Sequence, residues 1–345
     1  MNRLFLKITV CLAVSALIAG CAQEKTISTG EQAQEYLELL MSTEYPDFHP
    51  NQWGMYILKD TPGTGAAWTK DLKYSSLRST VRSMDGTILS STEADIAQQL
   101  DESTYKPYNY YGPRYQSTAE GSGYAGLEYL LDGMKIGGSR MAVIPAWLIT
   151  TSRFNTKEEY IAACTSSSHM IYEITLVGQC DDILTQEIED IRAYVTANYG
   201  KEQESCTYKA DQKKGTFYFI SDSTSFKADE KRADDAVLEL KYTGRRLDGQ
   251  AFDTNDQAMA LSQGIFVSEK AYETSSVQFS SNYSSIALNG SSSLIEGFKA
   301  GLYKMHWAGQ KATVIFVSDL GYGSTGSGDL IPPYAPLIFE LELQK

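Results

Sequence analysis

Hydrophobic and polar positions along the chain fall into short runs of distinct kinds. "VLELKYTG" (237–244), "KATVIFVS" (311–318) and "LIFELEL" (337–343) are rich in β-branched and aromatic residues, the composition of strands. "EQAQEYLELLM" (31–41) reads as a helix. Leu184, Ile188, Ile191 and Val195 recur at helical spacing, and "NYG" (198–200) supplies a stop. Near the start, Arg3 and Lys7 precede a continuous apolar run, Ile8 to Ile18. About eleven apolar residues are too few to span roughly 30 Å of hydrocarbon, so this run predicts a secretory leader and not an anchor helix.

The pattern repeats. "GMYILKD" (54–60) matches "GTFYFISD" (215–222), and "MDGTILSS" (84–91) matches "LDGQAFDT" (247–254). "GLEYLLDGMKIGGSRMAVIP" (126–145) matches "GFKAGLYKMHWAGQKATVIFV" (297–317), and "MIYEITL" (170–176) matches "LIFELEL" (337–343). The offsets stay between 161 and 172 residues and the order is kept. A duplicated domain is expected: a leader over 1–20, a tether over 21–30, a first copy with its leading helix over 31–180, a connecting helix over 181–200, and a second copy over 201–345. Ser-, Tyr- and Gly-rich stretches at 91–125 and 254–285 interrupt both copies and read as long surface insertions. The sequons "NYS" and "NGS" fall in or beside the second.

The chain has 345 residues, enough for two cores, and a net charge of −13. Losing Arg3 and Lys7 with the leader would take it to −15, which disfavours nucleic acid as a partner. Of five cysteines, Cys11 lies in the leader, and Cys164, Cys180 and Cys206 allow at most one disulfide. No C-x-x-C occurs and His49, His169 and His306 are far apart, so neither a metal site nor a cofactor is expected. "GYGSTGSGDLIPP" (321–333) holds a literal G-x-G-x-x-G, but a Pro-Pro pair follows where a dinucleotide site needs a helix. The glycines are those of a flexible loop.

"LIAGC", ending at Cys21, resembles the bacterial lipobox, which implies an exported chain held to the cell envelope through lipid on Cys21. Ala22 after it weakly suggests the outer membrane, by resemblance to bacterial sorting rules. In the C-terminal half "YTG" (242–244), "LDGQAFD" (247–253), "LIEGFKAGLYKM" (294–305), "AGQKATVIFVSDLGYG" (308–323) and "IPPYAPLIFELEL" (331–343) follow in order the pattern of FKBP-type peptidyl-prolyl cis-trans isomerases. The resemblance is strong over 235–345 and weaker over the first copy, where "GMKIGGSRMAVIP" is family-like. It implies an α+β fold: two tandem FKBP-like domains, each a twisted antiparallel sheet wrapped around a short helix, the second near 295–302.

Rotating an Xaa–Pro bond means breaking amide resonance, a barrier of roughly 18–20 kcal/mol for peptide bonds. A dry aromatic cavity favours the twisted, less polar amide over the planar one, which is differential binding of the transition state. By position, the resemblance implies aromatic walls from Tyr242, Phe252, Phe298, Tyr322 and Phe339, completed by Leu294, Ile295, Leu330 and Ile331. The Ile295 N–H and the Tyr322 hydroxyl would bind substrate carbonyls. Asp253 would accept from Tyr242 and orient the displaced carbonyl. Three departures stand out: Phe298 where the family usually has tryptophan, Ser318 where it usually has proline, and no evident match for the arginine that pairs with the aspartate. Lys270 is the sole basic residue of 254–285.

In the first copy Ser79, Leu89 and Ser90 take the places of Tyr242, Phe252 and Asp253, and Leu127 that of Phe298. It reads as a fold retained without its chemistry. The resemblance implies an isomerase acting on proline-containing polypeptide clients of the envelope, open to macrolide inhibitors, with the first copy a scaffold or client-binding domain. The alternatives are domains that only capture polypeptide, or a surface protein binding glycans through its tyrosine-rich insertion (105–115).

Overall fold

The computed structural model describes residues 28–97, 100, 112–150, 152–163, 168–200, 206–208, 215–221 and 226–344. Cys21, the leader, Cys164 and most of the tyrosine-rich stretch 105–115 lie outside these residues. In chain order the elements are α1 (Thr29–Glu44), β1 (Tyr56–Thr61), β2 (Tyr74–Ser83), β3 (Ile88–Ser91), α2 (Ala94–Ala97), β4 (Arg114–Ser117), α3 (Ala125–Leu131), β5 (Ser139–Ile144), α4 (Lys157–Ala163) and β6 (Met170–Cys180). Then come α5 (Ile183–Tyr199), β7 (Cys206–Tyr208), β8 (Gly215–Ser221), β9 (Val237–Arg246), β10 (Ala251–Thr254), α6 (Gln257–Ser262), β11 (Ser275–Gln278), β12 (Ala287–Leu288), α7 (Glu296–Lys304), β13 (Lys311–Phe316) and β14 (Leu337–Leu343). The chain divides into two compact units, with boundaries after Glu93, Tyr115 and Gln179.

In the first unit the sheet runs β1-β5-β6-β2-β3. Leu127, Leu130 and Leu131 of α3 bury against Leu77, Ala142, Ile144, Ile174 and Leu176 of the strands. Helix α1 begins at a capping box: Ser28 Oγ accepts from the Glu31 N–H, and the Glu31 carboxylate accepts from the Ser28 N–H. Its apolar face, Leu37 and Met41, packs with Tyr56 and Val143. His169, buried, fixes the helix to this unit: Nδ1 accepts from the Ala146 N–H (3.0 Å), so Nε2 carries the proton and donates to the Ala33 carbonyl (2.8 Å).

The second unit repeats the plan with a larger antiparallel sheet, β12-β11-β9-β14-β13-β8-β7, and β10 beside β9. Phe298, Ala300 and Leu302 of α7 bury against Leu240, Val314, Phe316, Leu337, Phe339 and Leu341. The helix sits close because two of its residues lack side chains. A Cβ on Gly297 would lie 2.2 Å from the Phe316 ring, and one on Gly301 would lie 2.4 Å from Val314. Helix α5 is capped by Asp182, whose side chain accepts from the Leu184 N–H, and it ends at left-handed Gly200 (φ 75°). Its Ile191 and Val195 enter the same core, so the helix expected to be a connector is part of the second unit.

The stretch 254–285 differs from the surface insertion expected of it. Ser275–Gln278 pairs antiparallel with Leu240–Val237 and widens the sheet, and Ala260, Ile265, Val277 and Phe279 are buried. The open edge of β9 supplies ladder partners, and the apolar positions of the insertion supply the burial.

Candidate active site

Strand pairing determines which side chains meet. β10 lies against β9 with Asp253 opposite Gly244 and Thr254 opposite Thr243. The Thr243 and Thr254 hydroxyls bond at 3.1 Å, and Asn255 Oδ1 accepts from the Tyr242 N–H at 2.9 Å. A Cβ on Gly244 would meet the Phe252 ring at 2.6 Å, so this glycine lets Phe252 fold over the strand.

The result is an aromatic cluster at the start of α7. Phe298 and Phe339, both buried, pack edge to face with centroids 4.9 Å apart. Tyr242 stands edge-on to Phe298 (5.9 Å), Phe252 edge-on to Phe339 (5.6 Å), and Phe316 stacks behind Phe339 (5.9 Å). Leu294 and Ile295, half-buried, border the same core, as does buried Ile331. Ile295 is the N-cap of α7, and its own N–H is spent on no hydrogen bond among the described residues. Buried Arg246 donates to the Leu330 carbonyl at 2.5 Å, which holds the 330–331 segment in place.

Polar groups gather at the rim. The Tyr242 hydroxyl donates to Asp253 Oδ2 at 2.9 Å, and Lys270 Nζ grips Asp253 Oδ1. Burial, and after it the Asp253 charge, push the Tyr242 hydroxyl well above the usual tyrosine range. The same two causes act in the same order on Tyr322, which is more exposed. Both phenols therefore keep their protons near neutral pH and serve as donors. Lys270 takes the position for which no arginine could be matched. It arrives from a segment of different length, so alignment by spacing missed it; its charge in an acidic stretch was the available signal. Tyr242, Phe252, Asp253, Ile295, Phe298, Phe339 and Ile331 come together, and Tyr322 faces Asp253 across the rim.

A separate open groove of about 620 Å³ crosses the charged face of the same sheet, lined by Lys241, Thr243, Lys311, Thr313, Glu340 and Glu342. Its lysines are engaged, Lys311 with Glu342 (3.3 Å) and Lys241 with Asp256 (3.2 Å). Of the aromatic residues named above, Tyr242 alone also borders this groove.

In the first unit the register places Thr80 opposite Ser91 and Val81 opposite Ser90, with the Thr80 and Ser91 hydroxyls 2.8 Å apart. Ser79 and Ser90 thus stand where Tyr242 and Asp253 stand in the second, and Leu89 is half exposed. Tyr124, the N-cap of α3, packs 5.9 Å from Tyr172 and is hydrogen-bonded to it. Tyr124 thus holds in the first unit the N-cap position that Ile295 holds in the second, and its contact with Tyr172 is a feature the sequence reading did not find.

An antiparallel sheet around one short helix, with an aromatic cluster bordered by a phenol–carboxylate pair, defines the class. Residues 228–344 match the model of the FKBP-type peptidyl-prolyl cis-trans isomerase family. FK506-binding protein 2 of Kluyveromyces lactis is 34% identical over 108 residues, 31% of this chain and 60% of its own length. A probable FKBP-type 25 kDa peptidyl-prolyl cis-trans isomerase of Pseudomonas aeruginosa is 32% identical over 106 residues, 31% of this chain and 34% of its own length. The chain therefore spans less than two thirds of either relative. A peptidyl-prolyl cis-trans isomerase structure from Pseudomonas syringae aligns with TM-score 0.29 and 24% identity, over 47% of this chain and 92% of that one.

Proposed function

We propose that the second unit catalyses cis–trans isomerisation of Xaa–Pro bonds in polypeptide clients. The observation that carries the reading is the Tyr242–Asp253–Lys270 network on the rim of an aromatic cavity floored by Phe298. The proline ring would rest on Phe298 between Tyr242, Phe252 and Phe339, with Leu294, Leu330 and Ile331 around it. The free Ile295 N–H and the Tyr322 hydroxyl would bind the flanking carbonyls, holding the chain while the imide turns. Asp253, paired with Lys270 and oriented by Tyr242, would face the carbonyl carbon as conjugation is lost. No nucleophile or proton transfer is needed; the cavity lowers the barrier by favouring the less polar twisted imide. The printed names of the relatives support this reading and support macrolides as cavity ligands.

We also propose that the chain is exported and lipid-anchored through Cys21 in a bacterial cell envelope, where it assists folding. The leader pattern and "LIAGC" support this. The first unit, which carries Ser79, Leu89 and Ser90 in place of Tyr242, Phe252 and Asp253, is the scaffold or client-binding partner of the second. The test is the isomerisation rate of a short Xaa-Pro peptide with the full chain, with and without a macrolide. Acceleration that the macrolide abolishes is expected; a rate equal to the spontaneous one overturns the reading.

A further inference from the structure

Tyr322 sits in an otherwise mobile-looking composition, "SDLGYGSTGSG" (318–328), yet the start of this loop is tightly held. Ser318 is 2% exposed. Its N–H donates to Glu187 Oε2 and its Oγ to Glu187 Oε1, both at 2.6 Å. Glu187 is itself 2% exposed and comes from the middle of α5, 131 residues earlier in the chain. The Ser318 carbonyl accepts from the Gly321 N–H and the Gly323 N–H, both at 2.8 Å, so the residues on either side of Tyr322 are tied to the one that Glu187 grips. The serine is required for this clasp: proline, usual in the family here, has no N–H and no hydroxyl to offer.

We propose, resting on the isomerase reading for the catalytic consequence alone, that Glu187 is a positioning residue for Tyr322: from α5 it sets the loop that carries this hydroxyl to the rim of the aromatic cavity. The bond geometry suits both charge states of the carboxyl. The ionised form accepts twice; the protonated form accepts from the Ser318 N–H and donates to Ser318 Oγ. Burial raises the Glu187 carboxyl to about 7, the Ser318 donors oppose this, and the charges of Asp319 and Asp190 add to it. Tyr115 and Cys180 also face this carboxyl. Above neutrality Glu187 is a buried anion beside two further carboxylates, so its burial costs more as pH rises through 7 while the two Ser318 donors hold the ionised form.

The experiment follows the backbone amide signals of Gly321 and Gly323 in the isotope-labelled full chain between pH 6 and 8, beside peptide isomerisation. Both amides are expected to titrate near pH 7 in the wild type and to stay flat in Glu187→Gln, which reproduces the protonated pattern of bonds. Glu187→Ala should speed hydrogen exchange at these amides about tenfold, the loss of one charge-assisted clasp, and Ser318→Ala by less. The kcat/KM for a short Xaa-Pro peptide should fall about tenfold in Glu187→Ala, mostly through KM, with Glu187→Gln restoring it. Unchanged exchange at Gly321 and Gly323 in a folded Glu187→Ala or Ser318→Ala chain overturns the proposal. So does unchanged kcat/KM in Glu187→Ala where the wild type is active. A wild type that does not isomerise at all sinks the isomerase reading instead, and the amide signals still decide whether Glu187 sets the loop.

Discussion

Asp253 is held from two sides, by the Tyr242 hydroxyl and by Lys270, and it is these contacts that aim it at the cavity. Removing the carboxylate takes away a negative charge beside the aromatic cluster and leaves Lys270 and the Tyr242 phenol without this acceptor. Asp253→Ala should therefore lower kcat/KM for a short Xaa-Pro peptide by about tenfold, and Tyr242→Phe by less, since the ring stays. Lys270→Met should cost about threefold, because the pair is partly exposed and solvent screens it. Equal activity of Asp253→Ala and wild type would remove Asp253 from the site. Phe298→Leu installs the residue that the first unit carries at Leu127. It should lower kcat/KM about tenfold with the fold intact by circular dichroism, because a flat floor under the proline ring is lost.

At the scale of elements, α7 reaches the cavity only because Gly297 lets it lie against Phe316. Gly297→Ala must displace that buried ring or the helix. It should destabilise the second unit by about 3 kcal/mol, read from denaturant midpoints. An undiminished midpoint would show that the contact yields without cost. Helix α1 carries a pH dependence of its own. Burial pushes the His169 imidazole below its usual 6.5, and Nδ1 must stay unprotonated to accept from Ala146. The unfolded chain then takes up the proton first. The stability this ring contributes is present above about pH 6.5 and is lost as pH falls below it. Thermal midpoints of wild type and His169→Gln should therefore converge on acidification from pH 7.5 to 5; a constant gap between them would refute the assignment.

For the whole molecule, the two buried groups respond to pH with opposite sign. Glu187, raised to about 7, keeps in the folded state a proton that the unfolded chain releases nearer 4.5. Its contribution is most favourable at low pH and declines as pH rises through that window. The stability of Glu187→Gln relative to wild type should thus rise from pH 5 to 8, while that of His169→Gln relative to wild type falls. Parallel trends in the two variants would contradict the sign of one of the shifts. The proposed division of labour between the units has its own test. Giving the second unit the first unit's residues, Tyr242→Ser, Asp253→Ser and Phe298→Leu together, should bring the full chain to the spontaneous isomerisation rate. Residual acceleration would mean that the first unit also catalyses.

Much of this was legible in the chain. Runs rich in β-branched and aromatic residues marked strands and the internal repeat marked the duplication, because such side chains suit a pleated, half-buried surface, while the family resemblance implied the α+β class. The ordered blocks from Tyr242 to Phe339 likewise named side chains that the fold packs into one aromatic cluster, and the pairing of β9 with β10 brings Tyr242 and Asp253 within one hydrogen bond. What only the tertiary structure decided depends on distant segments meeting. Lys270 comes to Asp253 from a segment that builds its own strand, and no spacing rule encodes that approach. Tyr124, at the start of α3, meets Tyr172 of β6, 48 positions away in sequence. Glu187 and Ser318 meet because α5 buries Ile191 and Val195 in the second core. In a helix pattern an inward-facing glutamate looks like any other polar position until the fold supplies its partner, since burial and hydrogen bonding are properties of the packed molecule and not of the local chain.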